Sequence, residues 1–173
     1  MSYFPAEMPR PEPDRDDCEF WRNCAQQQLR FQACTACGTP RHPPRPICHR
    51  CHSMAIEWED PGSRATLYTY CVIHHPNHPA VVARVPYIVG VVEFPALSGV
   101  RLVTNVTDVA PADARIGMEL SLWWDDIGDG MFVPRFRPLP AASLEARDTP
   151  TPPGQAASTA ARPPPAAVRS SSS

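Results

Sequence analysis

Two Cys-x-x-Cys pairs constrain this chain more than any other feature. The first is Cys34-Thr-Ala-Cys37-Gly38 and the second is Cys48-His-Arg-Cys51, with ten residues between the inner cysteines. Each pair makes a tight knuckle whose thiolates point at one metal, and two knuckles complete a tetrahedral four-cysteine site with the spacing of a zinc ribbon. Gly38 suits the first knuckle, because the backbone after the second thiolate commonly requires positive φ, which glycine adopts without steric cost. One pair alone would equally fit a redox dithiol. Two at this separation point to structural zinc held by Cys34, Cys37, Cys48 and Cys51. Four protein ligands leave no position for water, so such a metal holds a fold together and activates nothing.

The same cysteines admit other readings. Two disulfides would need an oxidising compartment, yet no basic stretch, apolar run and small-residue cleavage site leads the sequence, so a reducing cytoplasm is expected. A rubredoxin-type iron centre uses the same four ligands. His49 and His52 flank the second pair, but the cysteine set is already complete. Seven cysteines leave Cys18, Cys24 and Cys71 as expected free thiols.

At 173 residues the chain is one domain, or one small domain with a zinc appendage. Of its 23 prolines, 12 lie before Phe20 or from Pro138 onward, so the excess belongs to the ends. The net charge of −2, with 11 Arg against 10 Asp or Glu between Phe20 and Pro138, offers no field for a polyanion. The apolar runs are too short to span a bilayer.

Residues 1–17 are polar, proline-punctuated and aperiodic, and read as a loose arm. Asp16 or Asp17 can cap a helix from Cys18 to Gln28, along which Phe20, Trp21 and Cys24 form an apolar stripe. That stripe packs on its own domain or faces a partner. Between the knuckles, Pro40 to Pro46 reads as an extended loop carrying Arg41 and Arg45 outward. Helix and ribbon together fill 18–60.

The chain beyond the ribbon is nearly all β. Ala65–His74 alternates, with Leu67, Cys71 and Ile73 on one face and Tyr68, Tyr70 and Val72 on the other. Tyr87–Phe94 is so continuously apolar that both faces should be buried, with Gly90 marking a bend or bulge. Val100–Val106, Met118–Trp124 and Met131–Phe136 complete five strands. These fit a small closed barrel of the OB type over 61–138, although composition alone does not separate OB from SH3-like. The expected fold is therefore mostly β: a short N-terminal helix, a rubredoxin-like zinc ribbon, then a five-stranded OB-type β-barrel. Residues 139–173 read as a disordered tail rich in Pro, Ala and Ser.

In this order the motifs resemble a known family. They are the aromatic helix (Phe20, Trp21), Cys34-x-x-Cys37-Gly38, the proline–arginine loop before Cys48-x-x-Cys51, Trp58, and the Gly62 to Tyr70 entry strand. Pro86-Tyr87, Glu93, Gly117 and Phe136-Arg137-Pro138 come after them. The family joins a rubredoxin-like zinc ribbon to an OB-fold and partners thiolases and related acyl-CoA enzymes. One departure lies at the first barrel turn, where the family often reads Ser-Gly-x-Gly and this chain has Pro61-Gly62-Ser63-Arg64. The resemblance implies an accessory subunit of an acyltransferase or steroid side-chain aldolase assembly in lipid metabolism, with catalytic residues in the thiolase-like partner.

The residues themselves agree on one negative. No Gly-x-Ser-x-Gly elbow, His-Glu-x-x-His or phosphate-cradling glycine loop is present. His74, His75 and His78 have metal-like spacing, but Pro76 and Pro79 forbid the helix that would align them. Cys71 reads as a buried structural thiol rather than a nucleophile. Two functions are weighed. In the first, the chain docks a thiolase-like acyl-CoA enzyme as part of a hetero-oligomer, using Phe20 and Trp21 as anchors. Arg41 and Arg45 then serve as rim contacts or hold CoA phosphates. In the second, an OB barrel and zinc ribbon bind single-stranded nucleic acid, with Tyr68, Tyr70 and Trp123 as stacking platforms. The near-neutral charge favours the first.

Overall fold

The computed structural model describes residues 2–140, so the expected tail lies, from residue 141 on, outside the described residues. Helix α1 (Cys18–Ala25) leads into a three-stranded ribbon sheet of β1 (Phe31–Cys34), β2 (Pro40–Arg41) and β3 (Ile56–Glu59). β1 is central and antiparallel to both neighbours. The helix ends before the expected Gln28. Gln27 enters the left-handed region (φ 56°), and the Gln28 and Gln27 amides donate back to the Asn23 and Cys24 carbonyls, a Schellman stop. Asp17 stands at the N-cap, but its carboxylate accepts from the Trp21 indole (3.1 Å) rather than from a first-turn amide.

Five longer strands make up the rest: β4 (Arg64–Ile73), β5 (Tyr87–Glu93), β6 (Arg101–Val106), β7 (Glu119–Asp126) and β8 (Phe132–Pro138). They close in the order β4-β5-β6-β8-β7, and β7 returns to β4. Every pairing is antiparallel except β6 with β8, which are parallel and joined at the single register Val106–Phe136. The five-stranded barrel expected from the sequence is present, with one weakly paired seam.

That seam is where the ribbon enters. Phe20, Cys24, Leu29 and Phe31 share one buried cluster with barrel residues Leu67, Ile88, Val92, Phe94, Leu120 and Phe136. Aromatic rings run through it from Phe20 to Phe31 (6.2 Å between centroids), to Phe94 (5.0 Å) and to Phe136 (6.0 Å). Ribbon and barrel therefore have one core.

Three expectations are corrected by packing. The β4 alternation fails at a bulge: Leu67 pairs Val92 and Thr69 pairs Val91, leaving Tyr68 unpaired. The extra residue inverts the facing of the rest of the strand, so Tyr70 packs on the core and Cys71 is exposed instead of buried. On β5 only Ile88, Gly90, Val92 and then Phe94 point inward, while Val89, Val91 and Glu93 are half-buried. Gly90 is not a bulge but a close approach: a Cβ there would lie 2.7 Å from Val106 Cγ2 and 2.9 Å from Leu67 Cδ1. Finally, the arm is laid along the barrel. The Tyr3 amide donates to Asp125 Oδ1 (3.1 Å), Phe4 sits edge-on to Tyr87, and Arg10 pairs with Asp129.

Candidate metal centre

The two knuckles are near copies of each other. In the first, the Gly38 amide donates to the Cys34 carbonyl (2.7 Å) and the Cys34 amide to the Thr39 carbonyl (3.0 Å). In the second, the His52 amide donates to the Cys48 carbonyl (2.9 Å) and the Cys48 amide to the Ser53 carbonyl (2.9 Å). Both turns need a left-handed residue after the second thiol. Gly38 has φ 69° as expected, but its counterpart is His52 at φ 60°. Sequence reading missed that position because histidine carries no glycine signal, although short polar residues do visit this region.

The turns bring Cys34, Cys37, Cys48 and Cys51 together, with all four sulfurs within 4.8 Å of one another. Cys34 Sγ lies 3.5 Å from Cys51 Sγ, and Cys37 Sγ lies 3.7 Å from Cys48 Sγ. A disulfide needs about 2.05 Å. Four thiolates at about 2.3 Å from one tetrahedral zinc stand about 3.8 Å apart, close to what is seen. Cys34 and Cys48 are buried, while Cys51 is exposed, so the site lies just under the surface.

The thiols do not titrate alike. Hydrogen bonds from the Thr39 hydroxyl and amide hold Cys37 down at about 6. The Cys51 and Arg50 amides lower Cys48. At Cys51 the Ser53 amide pulls down, but the neighbouring Cys37 and Cys34 thiols outweigh it and push the group up to about 12. Four thiolates this close repel one another, and a divalent cation at their centre removes the conflict. Among the described residues this is the only metal-ligating cluster.

The expected docking residues separate. Phe20 is 3% exposed and belongs to the core, and its ring lies 4.9 Å from that of His42. Arg41 is not carried outward but turned in at 6% exposure, because β2 pairs with β1. Its Nε donates to Gln32 Oε1 (2.5 Å) and an Nη to the Arg45 carbonyl (3.0 Å), leaving the other Nη without a partner. Arg45 does reach solvent, 3.5 Å from Asp16. Trp21 remains half-buried on the rim of a cleft of about 270 Å³ along the seam, lined also by His42, Pro43, Val103 and Asn105. His42 Nδ1 has no partner there, and burial lowers its pKa to about 4 against a small pull upward from Asp17.

The remaining sequence candidates bring no chemistry together. His78 Nδ1 accepts from the Ala80 amide and caps the 3-10 turn Pro79–Arg84, while His74 and His75 are exposed in the preceding loop. The three stacking candidates are engaged: Arg101 covers the Tyr68 ring (3.4 Å), Tyr70 donates to the Ala114 carbonyl, and the Trp123 indole donates to Thr107. One cluster was not anticipated. Asp125 (0% exposed side chain) and Arg135 (7%) pair at 2.5 Å, and Arg135 also donates to Asn105. The available signal was an acidic and a basic residue, Asp125 and Arg135, placed directly beside aromatic residues of β7 and β8.

Comparison with known proteins agrees with both halves. The family model for the ChsH2 rubredoxin-like zinc ribbon domain matches residues 21–57, and that for the ChsH2 C-terminal OB-fold domain matches 58–125. A probable enoyl-CoA hydratase alpha subunit of Thermomonospora curvata is 39% identical over 75% of this chain. The 3-oxo-4,17-pregnadiene-20-carboxyl-CoA hydratase alpha subunit of Mycobacterium tuberculosis is 32% identical over 72% of it. The chain spans only 40% and 39% of those two relatives. Among solved structures, a chain of the Ltp2–ChsH2(DUF35) aldolase superposes with a TM-score of 0.68 at 38% identity, covering 75% of this chain and 98% of that one.

Proposed function

Since the chain belongs to the ChsH2 (DUF35) family of zinc-ribbon and OB-fold proteins, we propose that it is a non-catalytic subunit of an acyl-CoA enzyme. It binds a thiolase-like catalytic chain of acyltransferase or steroid side-chain aldolase type in the cytoplasm and helps bind or channel the acyl-CoA. The carrying observation is the near-complete coverage, 98%, of a chain that works inside an aldolase assembly. No helix among the described residues is long and apolar enough to cross a membrane.

In this reading Cys34, Cys37, Cys48 and Cys51 hold zinc. The bound metal supplies a cross-link between the two knuckles with no coordination position left for substrate. The chain's own residues then do the positioning. β1 and α1 hold the ribbon against the barrel; Trp21 lines the cleft along the seam and Arg45 stands exposed on the ribbon beside Asp16, and an aromatic and a guanidinium suit a partner surface. Phe20 and Arg41 act beneath them, as packing and as a brace on Gln32.

The names of the two hydratase relatives favour a second reading, a hydratase subunit. It needs the part of those proteins that this chain does not span. Purification from the native host, with identification of the co-purifying chain, decides between them. A thiolase-like chain is the expected result, and a hydratase-fold chain overturns the first reading. The isolated protein should show no thiolase, aldolase or hydratase turnover, and Trp21→Ala should weaken the complex at unchanged zinc content. Wild-type affinity in that variant places the docking surface elsewhere.

A further inference from the structure

Residues 2–11 form neither helix nor strand, with one backbone hydrogen bond of their own, Met8 to Pro5 (3.1 Å). They cross the outer face of the barrel. Asp125, Val133 and Arg135 point to that face, opposite in phase to Leu122, Trp124 and Phe136, which face the core. The arm is held by the Tyr3 amide on Asp125, the Phe4 ring edge-on to Tyr87 (5.2 Å), the Tyr3 and Phe4 rings each 5.1 Å from the Arg135 guanidinium, and an exposed Arg10–Asp129 pair. An exposed pair of that kind contributes little.

Between arm and barrel remains a cavity of about 250 Å³, walled by Phe4, Pro5, Met8 and Pro9 on one side and Ile127 and Val133 on the other. The prolines limit how far the arm can collapse into it, because their φ is fixed. Met8 gives the moving wall a side chain that adapts to irregular shapes. Arg10 and Arg135, the charged groups at its edge, are already paired with Asp129 and Asp125, so the rest of the lining suits an apolar body.

We propose that this cavity binds the hydrocarbon portion of an acyl ester, with residues 2–11 as a strap that closes over it. The proposal rests on the acyl-CoA reading above but not on the identity of the partner. The strap can lift without stranding a charge, since Asp125, Arg135 and Asn105 satisfy one another beneath it.

The test uses the full zinc-loaded chain alone, with octanoyl-CoA and free CoA as probes in titration calorimetry. Octanoyl-CoA should bind at least tenfold more tightly than CoA and slow amide exchange over residues 3–8, which CoA should not do. Met8→Trp, which fills the cavity from the strap side and leaves the barrel core untouched, should bring the two affinities together with melting temperature and zinc content unchanged. Deletion of residues 2–11 should do the same by removing one wall. Equal affinities in the wild type, or a preference that survives both variants, overturns the proposal. Complex formation with a thiolase-like chain is scored separately, so a complex without the octanoyl preference rejects this site alone. The preference without a complex rejects the subunit reading and leaves the site standing.

Discussion

At the scale of single residues, backbone conformation and burial decide most outcomes. Gly38 and His52 do the same job in the two knuckles, yet only His52 carries a Cβ in the left-handed region, where the cost is about 1–2 kcal/mol. Gly38→Ala should lower the stability of the zinc-loaded protein by that amount, while His52→Gly leaves it unchanged or raises it by up to about 1 kcal/mol, as chemical denaturation will measure. His42 makes a pH-dependent case. Burial lowers its pKa from 6.5 to about 4, so the unfolded chain binds the proton more readily than the folded one. Stability contributed by the neutral ring is complete above pH 6.5 and is lost as pH falls toward 4, at up to about 1.4 kcal/mol per pH unit. His42→Phe keeps the ring contacts with Phe20 and Phe31, drops the unpartnered Nδ1, and should flatten the stability profile across that window. A profile as steep as the wild type's assigns the titration to another group.

At the scale of elements, the sequence made legible whatever depends on local pattern. Two cysteine pairs dictate the ribbon, and alternating apolar residues dictate β6 and the first half of β7, because spacing and strand period act within one segment. Features set by a second segment were hidden. The Tyr68 bulge depends on how β4 must bend to meet both β5 and β7, so the exposure of Cys71 could not be seen in β4 alone. Arg41 turns inward because Gln32, on another strand, offers its side-chain carbonyl. The arm looked loose because its partners, Asp125 and Tyr87, lie far away in sequence. Two substitutions test this level. Phe20→Ala should cost about 3–5 kcal/mol as a core truncation, against much less for Trp21→Ala on the half-buried rim. Gly90→Ala should cost about 1–3 kcal/mol, since its methyl would press on Val106 and Leu67 where β5 passes closest. Thermal denaturation reads both.

At the scale of the whole molecule, metal and barrel share one fate. The zinc knuckles hold β1, β1 holds Phe31, and Phe31 touches Phe94 inside the barrel. Removing zinc with a strong chelator should therefore lower the barrel's melting temperature along with the ribbon's, in one transition. Two separate transitions would show that the halves are only neighbours. The weak seam between β6 and β8 has a practical consequence of its own. The family models meet between residues 57 and 58, which tempts an engineer to treat ribbon and barrel as interchangeable cassettes. A cut there divides β3 and removes the plug of Phe20 and Phe31 from the seam, leaving strand edges open to pair with another chain. The smallest piece that can be grafted between proteins of this kind is α1, ribbon and barrel together, and chimeras joined at the sequence boundary should assemble with each other rather than fold.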